Sequence, residues 1–518
     1  MPDTSLIATP ADLERLLRAT TPLPLTVEQV RLLVAAVQDS GLDPDLRFTG
    51  LAYDSRAVRG GELFVALKGE KVDGHAYLRD AWERGARAAI VASPTPDLPL
   101  PWIATADTRR ALSRLSDAAF GQPSRQLHVI GITGTKGKTS TSYFLQHILE
   151  CAGHPTGVIG TLGLHAYGIT LAQGLTTPES LDLHRMLACL REAGCTHVAM
   201  EVSAHGIHFQ RTSDIFFKRV IFTNLGQDHL DFFGTLDAYG AAKRRLFERG
   251  QYYESAILNS DDPFGVSLES SIEEGRLIRY GEHGQVSGRL LASRPDGLLC
   301  QIGFQDGSEA ELLIPVGGKF SLSNILAAVA TAESLGLTPE QIATALTVLP
   351  SVPGRHEVVS TRDDDITVVV DYAHTPESVA AILASADRSR HSRLIALVGC
   401  GGDRDRSKRP QMGRLAHDAV DQLVVTSDNP RTEDPAAIIA EILTGIPKES
   451  IGSRVSVEAD RAVAIRQAII SAPPRSAIYI LGKGHEPYQI LRDSTIAFDD
   501  REHARAALKV RREGGATA

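Results

Sequence analysis

The sequence predicts an α/β fold built from several domains. Short apolar runs typical of buried strands alternate with helical patterns along almost the whole chain, and this alternation is the signature of α/β architecture. The chain has 518 residues, which is enough for about two to four domains with cores of their own. In the last third of the chain, strand-like runs end repeatedly in polar loops, as expected where parallel strands reach one edge of a sheet.

Composition and charge exclude several classes of protein. Hydrophobic residues make up 43% of the chain and charged residues 23%, as in ordinary globular proteins. A net charge of −9 gives no general basic surface for nucleic acid. The start of the chain lacks a signal pattern, and no apolar run is long enough to span a membrane, so a cytoplasmic location is expected. The scattered cysteines are expected to be reduced core thiols: Cys151, Cys189, Cys195, Cys300 and Cys400.

Two loop-like stretches divide the chain into three predicted domains. These are "FGQPSRQ" at 120–126 and the proline-rich "LPSVPGR" at 349–355. The predicted domains are residues 1–126, 127–352 and 353–518, and the final "RREGGATA" is expected to be frayed.

The stretch "VIGITGTKGKTSTSYFLQHIL" predicts a phosphate-binding loop. "LHVIGIT" has the pattern of a buried strand, and a helix is predicted after it that ends at Gly153. Backbone N–H groups between them, at the start of the helix, would converge on an anion. Lys138 would reach the terminal phosphates and Thr139 would hold Mg²⁺. The standard P-loop would need a glycine where this chain has Ile132, so the loop is a shortened form.

The shortened loop "TGTKGKTS" resembles the ATP loop of the Mur ligases, which build the peptide stem of bacterial peptidoglycan. Further motifs stand in that family's order over roughly residues 50–505: "LTTPE", "MEVSAHG", "FTNLGQDHLDFFG", "AAKRRLF", "LNSDDP", "VPGRHE", "VDYAHTP", "GCGGDRDRSKRP", "TSDNPRTEDP" and "LGKGHEPYQ". Within the family, the match is closest to members that add the third residue of the stem. The segment "YDSRAVRGGELFVALKGEKVDGHAYLRDA" looks like their UDP-binding domain.

The resemblance implies a fold and a reaction. The three domains would be an N-terminal UDP-binding α/β domain, a central P-loop ATPase domain with a mostly parallel sheet, and a C-terminal Rossmann-like α/β domain that binds the amino acid. The substrates would be UDP-N-acetylmuramoyl-L-alanyl-D-glutamate and meso-diaminopimelate, with ATP and Mg²⁺ as cofactors. A monomer without a nucleic-acid or membrane partner is expected.

The resemblance also implies roles at the nucleotide site. The catalytic residues would be Lys138, Glu201, Lys243 and His374. Mg²⁺ would be held by Thr139, Glu201 and Lys243, the last as a carbamate formed with CO₂, which turns an ammonium into an oxygen donor. Read alone, Lys243 belongs to a Lys-Arg-Arg run typical of a solvated helix face. The nucleotide would contact Gly134, Thr135, Lys136, Gly137, Lys138, Thr139, Ser140, Asn324, Arg355 and Asp371. Asn324 alone is also compatible with an ordinary helix-start residue.

For the UDP-sugar peptide, the resemblance points to Tyr53, Ser55, Glu70, Lys71, Val72, Thr176, Thr177, Ser203 and Arg211. Arg211 offers a bidentate fork for phosphate or carboxylate. The family often has a polar contact near position 209, where this chain has Phe209 followed by Gln210, so neither residue is assigned a role.

The motif "DNPR" predicts which amino acid is added. Diaminopimelate resembles lysine with an extra carboxylate at its distal end, and Arg431 after a strand-like run would bind that group. The motif has the form found in diaminopimelate-adding members. The pocket would comprise Arg404, Asp428, Asn429, Pro430, Arg431, Gly482 and Glu486, with Glu486 taking the distal ammonium.

Other functions are left open by the residues. The same ligase could add L-lysine or L-ornithine. Folylpolyglutamate synthetases carry a similar ATP loop, although "DNPRTEDP" and the N-terminal domain argue against them. A nucleotide-binding regulator or phosphotransferase would use the loop without forming an amide. A ligase would release ADP only when the nucleotide peptide and the amino acid are both present.

Overall fold

The computed structural model describes residues 7–69, 72–94, 98–172, 174–248, 253–294 and 297–515. Contacts divide the chain into two compact units. The first comprises residues up to 226, 235–287 and 326–342, and the second comprises 227–234, 288–325 and 343 onward. None of the helices in the described ranges is long and apolar enough to cross a membrane.

The N-terminal part of the first unit contains a five-stranded sheet of order β2-β7-β6-β5-β4 and a separate pair of strands, β1 and β3. Its strands are β1 (Leu25–Thr26), β2 (Gln38–Asp39), β3 (Arg47–Phe48), β4 (Leu51–Ala52), β5 (Leu63–Val65), β6 (Ala88–Val91) and β7 (Trp102–Ala104). Its helices are α1 (Pro10–Ala19), α2 (Val27–Val34), α3 (Leu78–Glu83) and α4 (Thr108–Ala119). Strands β4 to β7 pair in parallel, and their buried aliphatic residues form the core of this part.

The central part of the first unit is an eight-stranded sheet of order β11-β10-β9-β12-β8-β13-β14-β15. Its strands are β8 (His128–Thr133), β9 (Thr156–Gly160), β10 (Gly163–Ala166), β11 (Ile169–Leu171), β12 (His197–Glu201), β13 (Phe217–Phe222), β14 (Tyr253–Asn259) and β15 (Leu277–Tyr280). The connecting helices are α5 (Lys138–Cys151), α6 (Ser180–Glu192), α7 (Ala204–His208), α8 (Leu230–Phe233), α9 (Leu236–Arg244) and α10 (Pro263–Leu268), of which α8 belongs to the second unit. Among the described residues of this sheet, only the β9-β10-β11 edge is antiparallel, so the expected mostly parallel sheet is confirmed.

A three-stranded sheet follows, with strands β16 (Ser287–Arg294), β17 (Gly297–Gly303) and β18 (Glu309–Ile314). Two helices come next, α11 (Ser321–Ser334) and α12 (Pro339–Leu346).

The second unit also contains a six-stranded sheet of order β19-β20-β24-β21-β22-β23. Its strands are β19 (Glu357–Val358), β20 (Thr367–Asp371), β21 (Arg393–Val398), β22 (Gln422–Val425), β23 (Val455–Val457) and β24 (Ser476–Leu481), followed by the hairpin β25 (Tyr488–Ile490) and β26 (Thr495–Ala497). The helices are α13 (Pro376–Ala384), α14 (Lys408–Ala419), α15 (Pro435–Leu443), α16 (Arg461–Ser471) and α17 (Asp500–Gly515). All pairings except β19 with β20 are parallel, as in a Rossmann-like sheet.

Three expectations about local structure are wrong. The tail is not frayed over 511–515, because α17 continues to Gly515 and Arg511 is paired with Asp365 at 2.7 Å, while residues 516–518 lie outside the described residues. Cys151 is exposed at the end of α5, whereas the other four cysteines are buried as predicted. Lys243 is 1% exposed and does not lie on a solvated helix face.

Candidate functional site

The ATP-loop motif forms the predicted strand, loop and helix. The apolar strand β8 ends at Thr133, and α5 begins at Lys138 after Gly137, whose φ of 86° is a left-handed conformation that favours glycine. The Nζ atom of Lys138 donates to the carbonyl oxygens of Gly134 (2.8 Å) and Thr135 (3.0 Å). The predicted residues Thr135, Thr139 and Ser140 are buried, and Lys136 is half-buried. The loop therefore leads into the N-terminus of α5, where backbone N–H groups can bind an anion.

Asn224 holds this loop in shape, and sequence reasoning did not single it out. Its Oδ1 atom accepts from the backbone N–H of Lys136 (2.9 Å), and its Nδ2 atom donates to the carbonyl oxygen of the same residue (3.1 Å). The hydroxyl of Thr223 donates to that oxygen as well (2.6 Å). Both residues follow β13, which pairs with β8. The sequence signal that could have identified them is a pair of polar residues directly after a strand.

Glu201 lies at the end of β12, on the other side of β8. Its side chain is fully buried. Oε1 accepts from the backbone N–H of Thr161 and Oε2 from its hydroxyl, both at 2.9 Å. The hydroxyls of Thr161 and Thr176 are 3.1 Å apart. Two hydrogen bonds thus orient a buried carboxylate at the strand end next to the ATP loop.

Lys243 is joined to the same loop. It lies near the end of α9, and its Nζ atom donates to the carbonyl oxygen of Gly134 at 3.0 Å. The Nζ atom also lies 4.1 Å from the centre of the Tyr239 ring. A lysine from a helix more than 100 residues later in the chain therefore contacts the loop directly.

The residues predicted to bind UDP have different environments. The hydroxyl of Tyr53 donates to Asp182 Oδ2 at 2.6 Å, and burial followed by the charge of Asp182 raises the pKa of Tyr53 far above its usual value. Ser55 is buried and Val72 is exposed. Glu70 and Lys71 lie outside the described residues.

Thr177, Ser203 and Arg211 form one connected group. Thr177 donates to the carbonyl oxygen of Glu201 (3.0 Å) and accepts from the N–H of Ser203 (2.9 Å), whose side chain caps α7. Arg211 is paired with Glu179 at 2.9 Å and donates to the carbonyl oxygen of Thr177 (3.0 Å). The predicted fork of Arg211 is thus bound to a carboxylate of this chain.

The unassigned residues Phe209 and Gln210 contact side chains of both the N-terminal and the central part of the first unit. The guanidinium carbons of Arg109 and Arg211 lie 4.5 and 5.4 Å from the centre of the Phe209 ring. The amide of Gln210 donates to Asp107 (2.7 Å). Arg109 also pairs with Glu179 at 3.3 Å. Sequence reasoning gave Arg109 and Glu179 no role, because neither stands out from its neighbours in the chain.

In the second unit, four strand-end loops lie side by side as predicted. They follow β20, β24, β21 and β22, which are adjacent in that order. The loops are "VDYAHTP", "LGKGHE", "GCGGDRDR" and "TSDNPR". Side chains and backbone groups join them, for example the N–H of Gly402 and the carbonyl oxygen of Asn429 at 2.9 Å. This edge is the candidate ligand site of the sheet.

At the β20 end of this edge, Arg355 and His485 connect two loops. Arg355 stacks on Tyr372 at 4.6 Å and donates to Nδ1 of His485 at 3.3 Å. Burial, followed by the charge of Arg355, lowers the pKa of His485 to about 2, so its ring is neutral. His374 donates from Nδ1 to the carbonyl oxygen of Tyr372 (2.8 Å), and its own carbonyl oxygen accepts from Lys408 (2.9 Å).

Asp371 and Asn324 are the other predicted nucleotide residues of this unit. Asp371 is buried at the end of β20 and accepts from the N–H groups of His356 (2.6 Å) and Ala373 (2.7 Å). Burial nevertheless raises the pKa of Asp371. Asn324 is 7% exposed and is the fourth residue of α11. It therefore occupies the first turn of the helix and is not its cap.

The "DNPR" loop packs against the loop after β21. Arg431 has a φ of 52°, and its Nη1 atom donates to the carbonyl oxygen of Gly402 at 2.8 Å. Its side chain is half-buried, and Arg404 is exposed. Asp428 and Asn429 are buried, and the amide of Gln489 donates to the carbonyl oxygen of Asp428 (2.6 Å).

Glu486 and Gly482 face this loop from the loop that follows β24. The Asn429 amide donates to Glu486 Oε2 at 2.7 Å. Gly482 has a φ of 114°, and a Cβ atom there would lie 2.5 Å from Asp428 Oδ2, so only glycine fits. The buried Lys483 also contacts this group, and the sequence analysis did not include it.

No group of three or more histidine, cysteine, aspartate or glutamate side chains able to hold a metal ion occurs among the residues that the structure describes.

Comparison with family models gives three matches along the chain. They are "Mur ligase family, catalytic domain" at residues 47–119, "Mur ligase middle domain" at 132–332 and "Mur ligase, glutamate ligase domain" at 354–484. Each match covers one of the three α/β parts expected from the sequence.

Curated relatives match over nearly their whole length. A protein of Gloeobacter violaceus is 41% identical over 482 residues, which are 92% of this chain and 98% of the relative. A protein of Solibacter usitatus is 44% identical over 466 residues, or 89% and 93% of the two chains. Both are named UDP-N-acetylmuramoyl-L-alanyl-D-glutamate–2,6-diaminopimelate ligase.

Solved structures share the fold. A structure of a UDP-N-acetylmuramoyl-L-alanyl-D-glutamate–2,6-diaminopimelate ligase has a TM-score of 0.67 and 29% identity, and the match covers 95% of this chain and 100% of that one. MurF ligase of Thermotoga maritima in complex with ADP has a TM-score of 0.60 and 18% identity over 90% and 98%. A folylpolyglutamate synthase of Mycobacterium tuberculosis has 0.57 and 17% over 72% and 92%. At these lower identities the likeness concerns the fold alone.

Proposed function

The chain belongs to the Mur ligase family, and we propose that it is the ATP-dependent ligase that adds meso-diaminopimelate to UDP-N-acetylmuramoyl-L-alanyl-D-glutamate in peptidoglycan precursor synthesis. The observation that carries this proposal is the relatives of that name, which are 40–44% identical over 89–93% of this chain. Folylpolyglutamate synthases match only in fold and over 72% of the chain. The enzyme acts in the cytoplasm and as a monomer.

The reaction forms an amide between the D-glutamate γ-carboxylate and an amine of diaminopimelate. A carboxylate does not react with an amine at neutral pH, so the γ-phosphoryl group of ATP is first transferred to it, giving an acyl phosphate and ADP. The amine attacks the acyl carbon, and the tetrahedral intermediate releases phosphate. Because each of these species is anionic, the site needs cations and backbone N–H donors.

The ATP loop supplies both the cations and the backbone N–H donors that these anionic species require. Its backbone N–H groups and the N-terminus of α5 bind the phosphates, and Lys138 moves from its loop carbonyls to the terminal phosphoryl oxygens. Asn224 keeps the loop in shape while the lysine moves. Thr135, Lys136, Ser140 and the two loop glycines line the phosphate site. Arg355, Asp371 and Asn324 bind the adenosine part, and His374 is a catalytic residue.

The residues present fit a Mg²⁺ ion. Mg²⁺ takes oxygen ligands, and the buried carboxylate of Glu201 and the hydroxyl of Thr139 are of that kind. Lys243 would add oxygen ligands as a carbamate, and its Nζ atom already lies against the loop at Gly134. Bound Mg²⁺ would neutralise charge on the phosphoryl oxygens.

The N-terminal domain, residues 1–126, binds UDP, and residues 127–352 form the ATP domain. The nucleotide peptide contacts Tyr53, Ser55, Glu70, Lys71, Val72, Thr176, Thr177, Ser203 and Arg211. The ion pair with Glu179 fixes the position of Arg211, and Arg211 contributes to substrate binding from that position.

Residues 353–518 bind the amino acid. Arg431 and the exposed Arg404 take the distal carboxylate, and Glu486 takes the distal ammonium. Asp428, Asn429 and Pro430 shape the loop, and Gly482 leaves room for the Asp428 carboxylate.

The test is an assay of ADP and phosphate release with single substrates withheld. ADP should form only when ATP, the nucleotide peptide and meso-diaminopimelate are all present. A panel of diaminopimelate, L-lysine, L-ornithine and glutamate identifies the amino acid. ADP release without the peptide would instead indicate a phosphotransferase or a regulatory nucleotide hydrolase.

A further inference from the structure

Lys483 has an unusual environment for a lysine. Its side chain is fully buried, and its Nζ atom donates to Asn429 Oδ1 (3.1 Å) and Glu486 Oε2 (3.2 Å). Lysine is rarely buried completely, because removing an ammonium from water is costly unless it is paired. A buried lysine bound to two proposed pocket residues therefore calls for a role in that pocket.

Among the residues that the structure describes, the hydrogen bonds on Glu486 all fall on one oxygen. Oε2 accepts from Lys483 and from the Asn429 amide (2.7 Å), whereas Oε1 accepts none from this part of the chain. The amide of Asn429 cannot flip without loss, because its Oδ1 atom accepts both from Lys483 and from the N–H of Ile490 (2.9 Å). One carboxylate oxygen is thus clamped, and the other is available to a ligand.

We propose that Lys483 is a positioning and specificity-determining residue, which clamps Glu486 so that Oε1 binds the distal ammonium of diaminopimelate. This inference rests on the proposed function, since it assigns the partner of a residue placed in that pocket.

The charges around Glu486 explain why a buried cation is needed. Burial raises the pKa of Glu486, and the nearby carboxylate of Asp428 raises it further, while Lys483 and the Asn429 amide lower it. The charge of Glu486 also acts on Tyr372 and Tyr488, and the charges of Glu486 and Asp428 both act on the buried Arg461. Arg461 is already bound by Asp500 at 2.7 Å. Lys483 is the cation in direct contact with Glu486.

The test compares two substrates in wild type and Lys483→Met. meso-Diaminopimelate has the distal ammonium, and (S)-2-aminopimelate keeps the distal carboxylate but lacks that ammonium. Wild type should prefer diaminopimelate in kcat/KM. Lys483→Met should reduce this preference by about tenfold or more, the equivalent of one charge-assisted hydrogen bond, and leave KM for ATP and use of 2-aminopimelate close to wild type. Lys448→Met, an exposed lysine of the same domain, should behave as wild type.

A pH series adds a second measurement. KM for diaminopimelate in Lys483→Met should fall as pH rises, more steeply than in wild type, because loss of the Lys483 ammonium raises the pKa of Glu486 further. If Lys483→Met lowers use of both substrates equally, or keeps the preference and the wild-type pH profile, Lys483 serves only the fold and the inference is wrong.

Two further variants cover misfolding and the underlying assignment. If Lys483→Met does not fold, Lys483→Met/Glu486→Gln replaces the ion pair by a neutral one. It should match Glu486→Gln alone on both substrates, and an additional loss on both would overturn the inference. If Glu486→Gln itself keeps the wild-type preference for diaminopimelate, the proposed pocket is wrong. If instead Lys483→Met keeps the preference while Glu486→Gln loses it, the pocket assignment stands and only the inference about Lys483 is wrong.

Discussion

The Nζ atom of Lys243 donates a hydrogen bond of 3.0 Å to the carbonyl oxygen of Gly134, the first glycine of the ATP loop. Lys243 is 1% exposed and belongs to α9, whereas the loop precedes α5. A side chain of the "AAKRRLF" motif therefore contacts the phosphate loop, and a modification at its Nζ atom would place new oxygens at that loop.

Lys243→Ala should reduce ligation by about a hundredfold or more, because it removes an oxygen donor from the proposed Mg²⁺ site. Raised bicarbonate should not rescue it, since no amine remains to carbamylate. Lys243→Glu should restore a small part of the activity by supplying an oxygen at shorter reach. Initial rates of ADP release measure these effects, and Arg245→Ala, an exposed neighbour, is the matched control.

The carbamate itself has a direct readout. After incubation with ¹³C-bicarbonate, wild type should give a carbamate ¹³C signal that is missing from Lys243→Ala. Lys243→Ala with nearly wild-type activity, or a wild-type spectrum without that signal, would contradict the hypothesis.

Lys138→Ala should lower kcat by about 10²–10³-fold, because the transferred phosphoryl group loses a cation that would stabilise its developing charge. Its side chain is half-buried and its Nζ atom donates to carbonyl oxygens of the loop, so circular dichroism should show an intact fold. Lys218→Ala, which removes a lysine paired with Glu254 in the same domain, should leave kcat unchanged. Turnover near wild type at saturating ATP would mean that this is not the catalytic loop.

The edge of the C-terminal sheet that carries the candidate ligand site could be predicted from the sequence. The patterns that indicate it each lie within a short continuous stretch of the chain. An apolar run such as "RLIALVG" followed by polar residues marks a strand and its loop, and parallel strands place such loops on one edge. The shape of the ATP loop followed from its glycines and the helix pattern for the same reason.

Side-chain pairing could not be predicted, because it depends on the order of strands in space. Lys483 and Asn429 are 54 residues apart and meet because β21 alone separates β24 from β22. The burial of Lys243 and the pairing of Arg211 with Glu179 have the same origin. A Lys-Arg-Arg run has no periodicity that shows which of its members faces inward.

Asp117→Asn should stabilise the protein above about pH 6. Asp117 lies near Asp214 and the fully buried His184, and within the described residues Asp117 Oδ1 and both ring nitrogens of His184 have no hydrogen-bond partner. Burial, aided by Asp214, raises the pKa of Asp117 to about 6 against contributions from Gln122 and Arg125, so ionising it in the folded state is costly. Burial lowers the pKa of His184 to about 3, so this histidine offers no positive charge.

The direction of this pH dependence follows from the linkage between ionisation of Asp117 and folding. A carboxyl whose folded pKa lies above the unfolded value of 3.8 favours the folded state at low pH, and that contribution is lost as pH rises through about 6. The gain from Asp117→Asn should therefore be about 1–3 kcal/mol near pH 7.5 and close to zero near pH 4. Urea unfolding at both pH values measures it, with the exposed Asp493→Asn as control. Equal gains at both pH values would refute the assigned pKa.

Arg431 should determine whether the enzyme uses diaminopimelate or lysine. The two substrates differ by one distal carboxylate, and the guanidinium of Arg431 is held at the rim by the Gly402 carbonyl oxygen (2.8 Å) and a left-handed backbone after Pro430. A buried arginine would reject the analogue without its partner by about 10⁴–10⁵-fold. Since Arg431 is half-buried and water can solvate it, discrimination of about 10²–10³-fold in kcat/KM is expected.

Arg431→Ala and Arg431→Lys should both lose most activity with diaminopimelate, because neither keeps the bidentate fork, while their low activity with lysine stays unchanged. Arg414→Ala, on the exposed side of α14, is the control. Equal use of lysine and diaminopimelate by wild type would show that Arg431 does not read the distal carboxylate, even if all three substrates remain necessary for ADP release.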